Sequence, residues 1–147
     1  MSEAKVEVDG QTVGEIGAGL LILLGIHRGD ETPDADYLVR KTLGLRIFPD
    51  EQGKMNKNVL ETGGSLLVVS QFTLYGDCSK GNRPAWDAAA RPEKAKELYE
   101  YFVGKARESG ILVETGIFQA FMRLKFVNDG PVTIICESRK DLTNLIL

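Results

Sequence analysis

Leu66-Leu67-Val68-Val69-Ser70-Gln71-Phe72-Thr73-Leu74 starts as an unbroken apolar run and turns polar toward its C-terminal end. The pair Gly63-Gly64 precedes it as a backbone breaker, and the large aliphatics that follow read as a strongly apolar strand over 66–74. A strand that only fills a core stays apolar to its end. Here Ser70, Gln71 and Thr73 arrive instead. A buried polar group without a partner costs about 1–3 kcal/mol. The strand end therefore lines a site or satisfies a neighbouring loop, and the pattern by itself leaves both readings open.

Upstream, Gly19-Leu20-Leu21-Ile22-Leu23-Leu24-Gly25-Ile26 is a second continuous apolar strand, expected to be buried on both faces. Val6 and Val8, the turn Asp9-Gly10, then Val13 and Ile16 read as a β-hairpin. Thr32-Pro33 predicts a helix start, with Thr32 as N-cap, Asp34 and Asp36 complementing the positive end, and Gly44 as the stop. Ala35, Leu38, Val39 and Thr42 fall on its inner face. Leu45-Arg46-Ile47-Phe48 is expected as a short strand and 50–53 as a turn. The polar stretch 54–58 reads as a solvated connector in preference to a ligand-touching loop.

Downstream, 76–83 is a polar loop and 92–110 is the clearest helix. Ala95, Leu98, Tyr99, Phe102, Val103 and Ala106 make its apolar stripe, and its charged side is mixed in sign, as on a solvated face. Strands are expected at 111–114, 121–127 and 132–136. In the second of these Met122, Leu124 and Phe126 point one way and Arg123 and Lys125 the other. The apolar tail Leu142, Leu145, Ile146 and Leu147 has no assigned purpose. The count is about eight strands and two helices, a mixed α/β arrangement with no repeat and no linker.

A chain of 147 residues is expected to fold as one domain with a sizeable core. The longest apolar run is too short to span a bilayer, and the start Met1-Ser2-Glu3-Ala4-Lys5 does not resemble a signal peptide. Cys78 and Cys136 have no metal or redox spacing, so reduced thiols in the cytoplasm are the simplest expectation. The net charge of −3 argues against coating nucleic acid through a broad basic face. It leaves room for gripping an RNA end through Lys54, Lys57, Lys80 and Arg83.

Common catalytic sets are missing. The single histidine, His27, has no Ser or Cys motif beside it, and HExxH, GxGxxG, P-loop and GxSxG patterns do not occur. Besides the polar strand end, one other stretch stands out: Asn128-Asp129-Gly130-Pro131-Val132-Thr133, between two apolar runs. Gly accepts positive φ, and Pro fixes its own φ and is the residue whose preceding bond adopts cis most readily. This is an ordinary turn or a rigid device that aims backbone carbonyls.

Taken together, the two stretches resemble the SQxTL and NxGPxT motifs of the D-aminoacyl-tRNA deacylases. Leu45-Arg46-Ile47-Phe48, Gly53-Lys54-Met55-Asn56, Arg83-Pro84, Leu98-Tyr99-Glu100-Tyr101-Phe102 and Thr115-Gly116 with Phe118 match in the same order, so the resemblance covers about residues 2–139. It implies a fold of mixed parallel and antiparallel sheets with two main helices. It also implies a cytoplasmic homodimer with active sites at the interface, no membrane, and no metal or organic cofactor. The implied reaction is hydrolysis of the ester between a D-amino acid, or mischarged glycine, and the tRNA 3′ end.

The resemblance places catalysis at Ser70, Gln71, Phe72 and Thr73, with the N–H groups around Phe72 and Thr73 as oxyanion donors and the tRNA 2′-hydroxyl assisting water. Thr73 as nucleophile is the lesser alternative, since no adjacent base is visible. Asn128, Gly130, Pro131 and Thr133 become the substrate-binding filter. A cis Gly130-Pro131 bond reaches the partner's site, where carbonyls exclude an L side chain. Phe118 and Met122 help hold the terminal adenine, or are simply core.

The matching domain is expected over 1–139, with 140–147 as a tail. The family's first strand has no counterpart ahead of Ser2, which leads one to expect an unpaired sheet edge. Gln119 and Ala85-Trp86 also depart from the family pattern. Two rival functions are a non-catalytic binder of the tRNA 3′ end and an esterase using Thr73.

Overall fold

The structure is a computed structural model that describes residues 1–138 and 144–146. Strands β1 (Glu3–Val8) and β2 (Gln11–Ile16) form the expected hairpin. Asp9 and Gly10 turn it at φ 51° and 78°, two successive left-handed residues, which is the two-residue turn whose twist matches the strands. The strand β8 (Arg123–Val127) pairs with the other side of β1 to complete a three-stranded sheet.

A five-stranded sheet lies against it. Its order is β7 (Val113–Thr115), β6 (Ser65–Ser70), β3 (Gly19–Leu24), β10 (Asn144–Ile146) and β9 (Ile134–Cys136). The β3/β6 ladder is parallel from Gly19↔Ser65 to Leu24↔Ser70, and β6/β7 is parallel as well. Because β10 is antiparallel to both β3 and β9, β9 runs in the same direction as β3.

The alternation of strand side chains explains why β3 and β6 are apolar throughout. Leu20, Ile22, Leu24, Leu66 and Val68 point into one core with the helices α1 (Thr32–Gly44) and α2 (Pro92–Arg107). Leu21, Leu67 and Val69 point the other way and pack on Ala4, Val6 and Ile16 of the hairpin. All six stripe residues expected of α2, from Ala95 to Ala106, are buried. Each large side chain so buried contributes about 1.5–3 kcal/mol.

Several boundaries differ from expectation. The cap of α1 is Glu31, not Thr32, because Thr32 is already helical; the Asp34 carboxylate accepts the Glu31 N–H at 2.9 Å. Strand β6 ends at Ser70, and residues 72–75 form a single 3-10 turn where a strand was expected to run on to Leu74. Of 45–48 only the end is strand: β4 (Phe48–Pro49) pairs with β5 (Met55–Lys57), so the supposed connector 54–58 is a hairpin strand. Asp50 makes that turn, its carboxylate accepting the N–H groups of Gln52 at 2.8 Å and Lys54 at 3.0 Å. These two hydrogen bonds, Lys54 first, hold its carboxyl below the ordinary range.

The ten described strands exceed the expected eight by β5 and β10. No helix among the described residues is long and apolar enough to cross a membrane.

Candidate active site

Three parallel strands, β3, β6 and β7, end at one edge of the large sheet. The crevice beyond the carboxyl ends of parallel strands is a recurrent place for ligands, because the chain leaves the sheet there in loops. The loops here are 25–30, 71–76 and 116–122.

Gln71 is the pivot of the middle loop. Its N–H still bonds the Leu24 carbonyl at 2.9 Å, extending the sheet by one step, while its own φ of −140° and ψ of 80° turn the chain away. The 3-10 turn follows. Its first bond runs from the Leu74 N–H to the Gln71 carbonyl at 3.3 Å, and Gly76 N–H closes on the Thr73 carbonyl at 3.0 Å. The N–H groups of Phe72 and Thr73 precede that first bond, so the turn itself does not use them. Ser70 and Gln71 are half-buried, and Phe72 and Thr73 are exposed. The Gln71 amide donates to the Thr73 hydroxyl.

The turn is fixed from beneath by Tyr75, which is buried and meets the His27 ring edge-on at 5.6 Å. Gly25 makes room for it: a Cβ there would stand 2.9 Å from Tyr75 Cε2 and 3.3 Å from the Gln71 carbonyl oxygen. His27 is engaged in loop structure, its Nδ1 accepting the Gly29 N–H at 2.9 Å.

From above, Trp86 meets Phe72 edge-on at 5.3 Å and lies across Gly76. The loop bearing Trp86 is pinned by paired bonds of 2.8 and 2.9 Å between Asp77 and Ala85. At 55% and 40% exposure, Phe72 and Trp86 form an open aromatic ledge at the strand end. In the sequence Trp86 stands out only as a departure from the family pattern. Its being the single tryptophan, six residues before a helix, was the available signal.

Phe118 and Met122 lie in the third loop, which leaves the same sheet edge: Gly116 N–H reaches the Val68 carbonyl at 3.4 Å. Phe118 packs on the helix-side core with the Tyr99 ring 6.1 Å away, while Met122 packs on the hairpin-side core. Both are half-buried, so each has a core side and a face left over. Tyr99 donates to the Val68 carbonyl at 2.7 Å, and burial pushes its phenol up to about 12. Of the cations considered for phosphate contact, Lys57 is paired with Glu51 on the β4–β5 hairpin, whereas Lys80 and Arg83 are exposed on the loop after the turn.

Asn128, Gly130, Pro131 and Thr133 are elsewhere. Ser2 N–H bonds the Val127 carbonyl at 3.3 Å and Gly19 N–H bonds the Met1 carbonyl at 3.1 Å, which places the 128–133 loop at the beginning of β3. A cleft of about 480 Å³ there is lined by Ala18, Leu20, Phe48, Met55, Gly130 and Val132 among others. The Gly130-Pro131 peptide is cis, as expected, and Gly130 has φ 119°. Asn128 clamps the loop, its amide donating to the Thr133 hydroxyl at 3.2 Å and its oxygen accepting the Val132 N–H at 3.3 Å. One chain thus keeps the two groups of predicted residues at opposite edges, separated by the length of the six-residue β3, about 17 Å.

The family described as D-Tyr-tRNA(Tyr) deacylase matches residues 1–137. The D-aminoacyl-tRNA deacylase of Geotalea uraniireducens (strain Rf4) is 59% identical over 96% of this chain and 91% of its own length. That of Koribacter versatilis (strain Ellin345) is 57% identical over 96% and 95%. Among solved structures, one titled c-Myc DNA Unwinding Element Binding Protein superposes with a TM-score of 0.84 at 38% identity, covering 89% of each chain.

Proposed function

Given that the chain belongs to the D-Tyr-tRNA(Tyr) deacylase family, we propose that it hydrolyses the ester joining a D-amino acid to the 3′-terminal adenosine of tRNA, releasing the free amino acid and tRNA. The observation that carries this reading is the pair of backbone N–H groups, at Phe72 and Thr73, left unused by the turn at the convergent strand ends.

An aminoacyl ester is already activated, so the protein's task is to orient it and stabilise the oxyanion that develops when water attacks. A preorganised backbone donor contributes about 10²–10³ in kcat. Residues 70–73 include no side chain that takes up or releases a proton near neutrality. Assistance then comes from the substrate: its 2′-hydroxyl, beside the scissile bond, accepts a hydrogen bond from the attacking water and passes a proton on to the departing 3′-oxygen. Thr73 is the weaker choice of nucleophile: its hydroxyl faces an amide donor, which withdraws charge where a base would supply it. The half-buried Phe118 and Met122, on the loop that leaves the same sheet edge, are the residues assigned to the flat terminal adenine.

Selectivity needs the other motif, and in one chain it lies at the far edge. The reading therefore takes two copies of the chain, with the 128–133 loop of each set against the partner's residues 70–73. The carbonyls beside Pro131 then occupy the space of an L side chain and receive the substrate's amino group. A D side chain points to solvent and goes unread. Glycine has nothing to exclude, so glycyl-tRNA passes. The cytoplasm is the setting in which charged tRNA would be met.

The test is a time course with D-tyrosyl-tRNA, L-tyrosyl-tRNA and glycyl-tRNA. Turnover of the D and glycyl substrates with the L substrate spared is expected. Tight binding of tRNA without turnover would favour a non-catalytic binder, and hydrolysis of simple esters without tRNA would favour the Thr73 esterase.

A further inference from the structure

We propose that the C-terminal strand β10 is the positioning element of the 128–133 loop and thereby sets the chain's discrimination between D and L substrates; the second half rests on the function proposed above. The loop has two ends and each is tied to the sheets differently. At its start, β8 pairs with β1 over five residues, from Glu7↔Arg123 to Glu3↔Val127, and the Ser2 N–H to Val127 carbonyl bond extends that tie to the loop itself. At its finish, Thr133 runs straight into β9.

Among the described residues, β9 has one sheet neighbour, and it is β10. The other side of β10 pairs with β3, Leu145 opposite Leu23 and Ile146 opposite Ile22. The same two residues face Ile135 and Ile134 across the second ladder. So β10 is a bridge: it places Ile134 level with Ile22, and by continuation places Val132 and Gly130 beside Leu20, where the cleft lining shows them. Among the described residues, no direct β9–β3 ladder exists to do this in its stead.

The Asn128 clamp cannot substitute. Its hydrogen bonds go to Val132 and Thr133, within the loop, so it fixes the loop's shape and not its location. Side-chain packing gives β9 a partial anchor, since Cys136 is buried and Ile134 touches the helix-side core. Packing of this kind holds two side chains, whereas the ladder ties every residue of β9 to a backbone partner on β10. A filter that rejects a side chain by a clash depends on placement within a fraction of an ångström.

The test compares the full chain with two variants: one ending after Arg139, and Leu145→Pro, which removes a ladder donor in the middle of β10. Amide hydrogen exchange is read alongside hydrolysis of D- and L-tyrosyl-tRNA. The expected result is at least tenfold loss of protection at residues 132–136 with protection at Ser65–Ser70 retained. The D-over-L rate ratio should fall at least tenfold, and a synthetic peptide of residues 140–147 should restore both in the shortened chain. Unchanged protection of β9, or an unchanged D-over-L ratio with β9 released, would overturn the proposal. So would equal loss of protection throughout the sheet in both variants, since β10 would then be a general stabiliser. If the full chain turns over neither substrate while β9 still depends on β10, the proposed function fails and the positional half stands.

Discussion

Asn128 donates its side-chain amide to the Thr133 hydroxyl at 3.2 Å, joining the first and last residues of the loop that carries Gly130-Pro131. The same side chain accepts the Val132 N–H at 3.3 Å. A hydrogen bond of this kind contributes about 0.5–1.5 kcal/mol net, so Asn128→Ala is expected to cost about 1–2 kcal/mol in stability. The informative readout is discrimination: hydrolysis of L-tyrosyl-tRNA should rise relative to the D substrate, because the loop loses its shape. Rate assays on both substrates, with melting temperature as the control, check this.

Phe72→Pro isolates the role of one backbone donor. Proline suits the first position of a helical turn, and Gln71, at φ −140° and ψ 80°, lies outside the α region that a residue before proline avoids. Phe72→Ala serves as the reference, since it loses the ring and keeps the N–H. If the Phe72 N–H stabilises the oxyanion, the proline variant should be slower than the alanine variant by a further factor of about 10²–10³ in kcat. Equal rates would remove that donor from the mechanism.

Gly25→Ala should displace the turn from below. The new Cβ meets Tyr75 Cε2 at 2.9 Å, inside a packed region. Overpacking of this kind costs about 1–3 kcal/mol. Far-ultraviolet circular dichroism should stay that of the native chain while kcat drops, because residues 72–75 shift and the rest of the sheet does not.

Tyr99 gives a pH signature. Burial raises its phenol to about 12, above the ordinary value near 10 of the unfolded chain. The unfolded state therefore ionises first. The contribution of neutral Tyr99 is fully present below about pH 10 and is lost as pH rises toward 12. Melting temperatures across that range should fall more steeply for the native chain than for Tyr99→Phe. The variant starts lower, having lost the 2.7 Å bond to the Val68 carbonyl.

The buried elements were legible because their pattern is dense. Alternate residues of β3 face two cores, so Gly19–Leu24 is apolar throughout, and the α2 stripe repeats with helical spacing. What failed were short segments whose structure comes from pairing with other strands and not from a long apolar pattern of their own. β5 is polar and exists through the Asp50 turn and pairing with Phe48–Pro49, neither of which leaves an apolar trace. β10 is only three residues long and gains its ladders from β9, the strand before it, and from β3, far away in the chain, so the apolar tail had no local meaning. At the candidate site, the polar end of β6 was visible as a break in the apolar run, but its 3-10 turn was read as more strand. Phe72 and Leu74 kept the alternation going after the backbone had turned. That the two motifs sit at opposite edges follows from strand directions, which no spacing in the sequence expresses.

The proposed function requires one selective site to be assembled from two copies of the chain. Phe72→Pro impairs the strand-end donors. Gly130→Ala impairs the loop, because an L residue is strained at φ 119° and its Cβ would lie 3.0 Å from Val132 Cγ2. Each variant alone should be nearly inactive toward D-tyrosyl-tRNA. Co-expressed with different tags and purified through both, a mixed dimer should carry one site with both halves intact. It should recover about half the activity of the native dimer, as two-fold symmetry requires. Recovery of selective D-tyrosyl-tRNA hydrolysis to that level is the predicted result; activity no greater than that of the two variants alone would contradict it.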